Sequence, residues 1–211
     1  VVVKEVLDSP EGEALWSADR EAYTRWEAQQ RRSNKGYVEA LGLIEGLCRG
    51  GQAAACLPLA TALEEDLNEV AAAAAILGGA CVELSAPEAC YRLGRLFELG
   101  AYGDGQRPGS EQVLEAYGRG CQAGHAGACR GYGMLGLESG QPQARDALQS
   151  ACASDPPVGC GEAGDAFRYG KGGPVDLDVA AVCYIRDCQA PKRSNPVQRC
   201  ADAGLFLWRG M

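Results

Sequence analysis

The chain has 211 residues and a formal charge of −8, from 28 acidic and 20 basic residues. This charge argues against a nucleic-acid partner, because such affinity depends largely on neutralising phosphate groups. The basic stretch Arg31, Arg32 and Lys35 is short enough to be the solvated end of a helix. No apolar run approaches the roughly 20 residues that span a bilayer, so we also expect no membrane span.

Apolar residues recur at helical spacing along nearly the whole chain. The first predicted helix carries Trp16, Tyr23 and Trp26, does not match the pattern of the others, and is interpreted as an N-terminal cap within residues 1–36. Ser110 and Asp176 suit the N-caps of two later helices. About eleven helices are predicted, near 11–31, 37–48, 54–65, 68–80, 88–99, 110–121, 127–138, 142–152, 158–169, 176–189 and 196–209.

Ten of the eleven cysteines form couples whose first members recur after 33, 40, 31 and 36 residues. This period is typical of helix-pair solenoids, in which each unit buries its apolar face against its neighbours. Structural zinc needs four converging Cys or His ligands, usually with two to four residues between paired ones. Here the couples are a whole repeat apart and the chain has a single histidine, His125, so we favour disulfides and expect no metal and no cofactor. The predicted pairs are Cys48–Cys56, Cys81–Cys90, Cys121–Cys129, Cys152–Cys160 and Cys188–Cys200.

The eleventh cysteine, Cys183, is predicted to be a buried free thiol, with an intermolecular disulfide or a redox-active thiol as the alternatives. Disulfides indicate an oxidising compartment, hence a periplasmic or secreted protein. The chain begins at Val1, which is consistent with the removal of a signal peptide or a lipoprotein anchor.

Glycine recurs four and ten positions after the second cysteine of the couples, except that Gly140 comes one position late and the copy at Cys56 has Ala60 and Asp66 instead. The earlier glycine, at Gly94, Gly133, Gly164 and Gly204, lies inside a predicted helix, where it costs about 1 kcal/mol relative to alanine. That cost is explained if another helix approaches closely. The later glycine, at Gly100, Gly140, Gly170 and Gly210, fits a helix C-terminus that needs a left-handed residue.

The segment from Ala89 to Gly100, and the stretch from Tyr169 to Asp176 that leads to Ala180 and Cys188, resemble Sel1-like repeats, which are relatives of tetratricopeptide repeats. The spacing of the cysteines resembles the disulfide-bridged subgroup typified by the Helicobacter cysteine-rich proteins, in which the bridge ties the end of one helix to the start of the next. The resemblance covers residues 37–211. It implies one continuous all-α domain, a right-handed α-solenoid of stacked antiparallel helix pairs.

Stacked helix pairs curve, and the first helices of the pairs line the concave face that such proteins use for partners. Positions two, five, eight and nine after the second cysteine of a couple are predicted to face this groove. Aromatic residues, methionine and arginine are enriched in protein interfaces, although each residue could also be an ordinary exposed helix position. The predicted partner-binding residues are Arg92, Arg95, Leu99, Met134, Glu138, Asp165, Arg168, Tyr169, Trp208 and Arg209.

These features predict an exported, monomeric scaffold or adaptor that binds a protein or peptide on its concave face. An inhibitor or immunity protein for a secreted effector is the alternative, since the acidic charge would suit a basic target. The resemblance also brings β-lactam binding or weak hydrolysis, but the sequence has no serine-lysine motif or zinc set for that chemistry. We therefore predict that the protein is not an enzyme and assign no catalytic residue.

Overall fold

The computed structural model describes residues 20–100, 109–189 and 200, and every regular element in these residues is helical. The predicted all-α class and the antiparallel packing of consecutive helices are confirmed. The chain forms two compact units, unit 1 (residues 1–108) and unit 2 (residues 109–211), which are described separately below. The division into a cap over 1–36 and one repeat domain over 37–211 stays a prediction.

Five helices of unit 1 lie in the described residues. The third helix runs on through a π-helical turn at Ala62–Asp66, so only residues 67–69 separate it from the next helix. Each helix packs against the next, and the core between them consists largely of alanine and leucine side chains. The helices are α1 (Arg20–Ser33), α2 (Lys35–Arg49), α3 (Ala53–Thr61), α4 (Val70–Val82) and α5 (Pro87–Glu98).

The basic stretch at the end of α1 makes ion pairs within unit 1. Arg31 Nη1 lies 2.8 Å from Asp66 Oδ1, and Arg32 Nη2 lies 2.8 Å from Glu69 Oε1. The Tyr37 hydroxyl donates to the other oxygen of Asp66 at 2.7 Å. The carboxylate at the end of the π-helical turn therefore fastens α1 and α2 to α3.

Five helices of unit 2 are described, and the predicted helix over 196–209 lies outside the described residues apart from Cys200. Asp176 caps the last of the five, because its Oδ1 accepts from the Val179 N–H at 3.0 Å. The prediction for Ser110 is wrong by one position, since the carbonyl of Gly109 already accepts the first bonds of that helix. The helices are α6 (Ser110–Gln122), α7 (Ala126–Glu138), α8 (Ala144–Ala153), α9 (Cys160–Tyr169) and α10 (Leu177–Gln189).

Two interior glycines of unit 2 lie where helices approach closely, as predicted. A Cβ atom on Gly133 would lie 2.5 Å from Cγ of Leu148, and one on Gly164 would lie 2.6 Å from the ring of Tyr184. A side chain at either position would therefore push α8 or α10 away. Three of the later glycines, Gly100, Gly140 and Gly170, are left-handed helix ends as predicted, with φ of 68°, 74° and 67°. Gly204 and Gly210 lie outside the described residues.

All five predicted disulfides are present, with Cα–Cα distances of 4.8, 4.6, 4.3, 4.5 and 5.0 Å in chain order. The first four connect α2 to α3, α4 to α5, α6 to α7 and α8 to α9, and the fifth connects α10 to Cys200. Cys183 is a free, buried thiol, and it packs in one apolar cluster with Leu148 and the Cys152–Cys160 bridge. None of the described helices is long and apolar enough to cross a membrane.

Candidate functional site

Helices α7 and α9, the first helices of successive pairs in unit 2, leave a cavity of about 410 Å³ between them. We call this cavity the α7/α9 groove. Three of the predicted partner-binding residues, Met134, Glu138 and Asp165, line it together. The complete lining is Met134, Leu137 and Glu138 from α7, Glu162, Asp165 and Ala166 from α9, and Lys171 and Gly172 from the turn that follows α9.

The α7 wall is set by the glycines on the opposite side of that helix. Gly133 packs against α8, and a Cβ atom on Gly136 would lie 2.8 Å from the Ala144 methyl group. Because these two positions face α8, Met134 and Glu138 lie on a different face of the helix. Met134 is 37% exposed and Glu138 is exposed, so this wall offers a thioether next to a carboxylate one turn away.

The α9 wall is fixed from behind by α10. Tyr184 is 1% exposed, and its hydroxyl donates to Oδ1 of Asp165 at 2.5 Å. Burial, followed by this hydrogen bond, raises the pKa of Tyr184 well above its ordinary value near 10. The phenol is therefore a permanent donor at neutral pH, and it holds the Asp165 carboxylate in one orientation beside the groove.

An ion pair lies at the end of the groove where α7 and α9 begin. Arg130 Nη2 lies 2.6 Å from Oε1 of Glu162, whose side chain is 18% exposed. The arginine side chain passes over Gly159, where a Cβ atom would lie 3.0 Å from its Cδ. The absence of a side chain at Gly159 therefore lets Arg130 reach Glu162 and join the two walls at this end.

The turn after α9 forms the opposite end of the groove. Gly172 has φ of 75°, and a Cβ atom there would lie 2.7 Å from Cδ2 of Leu137. Arg145 holds the turn, because its Nη1 donates to the Pro174 carbonyl at 2.6 Å while its guanidinium lies 4.5 Å from the centre of the Phe167 ring. The glycine-rich stretch from Gly170 to Gly173 is thus a packed inter-helix turn.

The groove carries a net negative charge. Three carboxylates, from Glu138, Glu162 and Asp165, line it together with the single ammonium of Lys171, and Arg130 forms an ion pair with Glu162. Among the described residues, the side chains of Glu138 and Lys171 make no ion pair or hydrogen bond. Glu138 is therefore an exposed carboxylate available to a ligand.

The predicted partner-binding set does not include two lining residues, Leu137 and Glu162, although the repeat register contains them. Leu137 lies eight positions after Cys129, and Glu162 lies two positions after Cys160. Both positions belong to the set predicted to face the partner. Lys171 and Gly172 lie after the helix, in a turn whose placement no helical register predicts.

The predicted residues of unit 1 occupy different surroundings. Arg92 is mostly buried and donates to the Leu57 carbonyl at 3.2 Å, to Oγ1 of Thr61 at 2.7 Å and to Oε2 of Glu64 at 3.0 Å. Its guanidinium therefore connects α5 to α3. Arg95 is exposed, and Leu99 is 68% exposed at the end of α5. Partner contact by these three residues stays a prediction.

The remaining predicted residues belong to unit 2. The Arg168 guanidinium lies 5.1 Å from the centre of the Tyr169 ring, and Tyr169 is 60% exposed. Tyr169 is therefore an exposed aromatic side chain at the end of α9, in contact with the half-buried Arg168. Trp208 and Arg209 lie outside the described residues, so their partner contact also stays a prediction.

A larger cavity, of about 640 Å³, lies on the side of unit 2 formed by α6. Its lining is mostly polar and includes Glu111, Glu115 and Arg119. None of the eight predicted partner-binding residues that the structure describes lines this cavity. Because α6 is the second helix of its pair, its surface serves as a control in tests of the α7/α9 groove.

Two side chains could act as a nucleophile or a general base, the imidazole of His125 and the thiol of Cys183, and each lies in a structural setting. His125 caps α7, because its Nδ1 accepts from the Ala128 N–H at 3.1 Å. Burial raises the pKa of the Cys183 thiol, and the nearby charge of Arg186 only partly offsets this effect. In the part of the chain that the structure describes, no three His, Cys, Asp or Glu side chains are grouped to hold a metal ion.

The helix pairs and their bridges define a disulfide-bonded α-solenoid repeat protein. No protein-family model and no curated protein matches the sequence. Among solved structures, the crystal structure of a Sel1 repeat protein from Oxalobacter formigenes is similar, with a TM-score of 0.60 and 16% sequence identity. The match covers 90% of this chain and 80% of that chain, and it confirms the predicted Sel1-like fold.

Proposed function

We propose that the protein is a monomeric repeat scaffold that binds a protein or peptide partner through the α7/α9 groove and the adjoining first-helix surface. The observation that carries the proposal is the groove lining, in which the partly exposed Met134 lies one helical turn from the unpaired carboxylate of Glu138. Apolar area supplies binding energy, and a charge beside it supplies orientation. The groove also lies on the helices that repeat proteins use for partners.

We place this scaffold outside the cytoplasm, in the periplasm or the extracellular space. Five disulfides support this location, because such bonds persist in oxidising compartments. In small domains they also add stability that an alanine-rich core does not supply by itself, typically about 2–4 kcal/mol per bridge.

An inhibitor of a secreted effector is the second candidate function, and the charge of −8 favours it. An acidic surface would steer a basic effector into contact and accelerate association at low salt. This function and the adaptor differ in the outcome of binding, which is loss of the effector's activity in one case and assembly in the other. No observation favours the alternative of β-lactam binding or weak hydrolysis, and we propose that the protein is not an enzyme.

The proposal can be tested by selecting a random dodecapeptide phage library on the oxidised, folded chain. Affinities of the selected peptides are then measured by fluorescence anisotropy. We expect Met134→Ala and Tyr169→Ala to weaken binding, the latter at least ~20-fold, because truncation of an aromatic anchor commonly costs about 2 kcal/mol. Glu111→Ala, on the α6 surface, is the matched control and should leave affinity within about twofold.

The reverse pattern would contradict the proposal. If Glu111→Ala weakened binding while the two groove-side variants did not, the partner would use the second-helix surface. Circular dichroism of each variant shows whether an effect on binding comes from loss of folding.

A further inference from the structure

The spacing and charge of the α7/α9 groove restrict the segment that it can hold. We infer that the groove binds an extended peptide in which an apolar side chain and a lysine or arginine lie two residues apart. This inference rests on the proposed function and names the chemistry of its partner.

The α7 wall supplies the spacing. Met134 and Glu138 are four residues apart on one helix, which separates them by about 6 Å along the axis. In an extended chain, side chains two residues apart point the same way and lie about 6.6 Å apart. An apolar side chain over Met134 therefore brings the second side chain to the Glu138 carboxylate.

The charges of the groove select a cation at that second position. Glu138 is exposed and makes no ion pair or hydrogen bond within the described residues, so it can pair with an incoming lysine or arginine. On the facing wall, Asp165 keeps one oxygen engaged by Tyr184 and adds to the negative potential. An acidic peptide would meet a net negative lining, because the three carboxylates outnumber the Lys171 ammonium even with Glu162 paired to Arg130, and a second copy of this chain would bring a further charge of −8.

The probes are dodecapeptides built on a glycine-serine background, measured by amide chemical-shift titration of the oxidised, isotope-labelled chain. The first carries one Leu-Ser-Lys block and the second carries Leu-Ser-Glu. The third places leucine and lysine next to each other, so that they point to opposite sides of an extended chain. We expect the second and third peptides to bind at least about fivefold more weakly than the first, with the shifts centred on Met134 and Glu138.

A charge reversal gives the decisive comparison. With Glu138→Lys the preference should switch to the Leu-Ser-Glu peptide, because the rim charge is inverted. Glu111→Lys changes the net charge by the same amount on the α6 surface and should leave the preference unchanged. Glu138→Gln, a smaller change, should abolish the preference between the lysine and glutamate peptides without reversing it.

Three results would overturn the inference: equal binding of the lysine and glutamate peptides, no shift with any of the peptides, or equal effects of Glu138→Lys and Glu111→Lys. If library peptides still depended on Met134 and Tyr169 in any of these cases, the groove would be a binding site for other chemistry and the proposed function would stand. If no selected peptide depended on the groove, the proposed function itself would fail.

Discussion

Within unit 1 and within unit 2, side chains connect neighbouring first helices of the helix pairs in different ways. In unit 1, Arg92 lies two residues after Cys90 and reaches from α5 to α3, where it binds a backbone carbonyl together with Thr61 and Glu64. Its side chain is 21% exposed and that of Glu64 is 30% exposed. One guanidinium thus spans the middle of the contact between these helices.

In unit 2 the equivalent position after Cys160 is Glu162, and the pairing changes with it. Glu162 binds Arg130, near the start of α7, so the ion pair closes one end of the helix contact and leaves Met134 uncovered. The position that holds Thr61 in unit 1, five residues after the cysteine, holds Met134 in unit 2. The comparison teaches that equivalent repeat positions connect neighbouring first helices through different partners, an arginine that reaches Glu64 in unit 1 and a glutamate that pairs with Arg130 at one end of the groove in unit 2.

The largest expected effect separates the helix contacts of the two units. Gly164→Ala in unit 2 should lower the free energy of unfolding by about 3 kcal/mol, because the new methyl group would overlap the buried ring of Tyr184. Gly79→Ala in α4 of unit 1 is the matched control, since no atom lies within 4 Å of its Cβ position. The control should be neutral or stabilising by up to about 1 kcal/mol. Urea unfolding followed by circular dichroism measures both, and equal losses would show that close helix approach is not particular to unit 2.

The contact that Arg92 makes between α5 and α3 in unit 1 can be removed directly. Arg92→Ala should lower the free energy of unfolding by about 2 kcal/mol, because Glu64 and the Leu57 carbonyl lose a charged donor in a partly buried site. Arg95→Ala, on the exposed side of the same helix, should stay within about 0.5 kcal/mol of the parent protein. If Arg92→Ala instead weakened peptide binding at unchanged stability, unit 1 would contribute to the partner surface as the sequence predicts.

Each unit contains a tyrosine hydroxyl that donates a hydrogen bond to an aspartate. The pairs are Tyr37 with Asp66 in unit 1 and Tyr184 with Asp165 in unit 2. Burial, then the hydrogen bond, raises the pKa of each phenol above its unfolded value near 10. The unfolded chain therefore loses these protons first, so the stabilisation is complete below pH 10 and is lost as the pH rises above it. The unfolding free energy should fall by up to about 1.4 kcal/mol per pH unit for each phenol.

Tyr37→Phe and Tyr184→Phe separate the two contributions. Each substitution should remove the contribution of one phenol to the fall of the unfolding free energy between pH 10 and 11. Urea unfolding at a series of pH values measures this slope. An unchanged slope in either variant would mean that the tyrosine ionises equally well in the folded and unfolded chain.

The smallest expected effect is a change in the rate of thiol labelling rather than in the free energy of unfolding. Cys183 is the free thiol of unit 2, and it is 3% exposed, so a thiol reagent should label about one site per chain in denaturant and label the native protein slowly. Gly164→Ala should accelerate native labelling because it loosens the contact between α9 and α10. Arg92→Ala should leave the labelling rate unchanged, and an equal acceleration by both variants would show that the units open together.

The fold was largely predictable because its signals are local. The cysteines and glycines recur in a fixed register, and they located the helices to within a few residues wherever the structure describes them. The α7/α9 groove was only partly predictable. Which residue crosses between first helices depends on contacts such as Arg92 with Leu57, which are 35 residues apart in the chain. Neither this choice of partner nor the π-helical turn at Ala62–Asp66 has a signature in local periodicity.

The arrangement of the bridges also determines how the protein can be oxidised. Each cysteine of a couple bonds to the next one of the pair, only 8, 9, 8, 8 or 12 positions along the chain. A chain that enters an oxidising compartment from its N-terminus can therefore complete each bond before the following couple arrives, with no partner left waiting for a distant segment. Cys183 is the one competing thiol, and its burial beside Leu148 withdraws it from exchange once α10 has docked. Maturation in chain order needs no reshuffling of bonds.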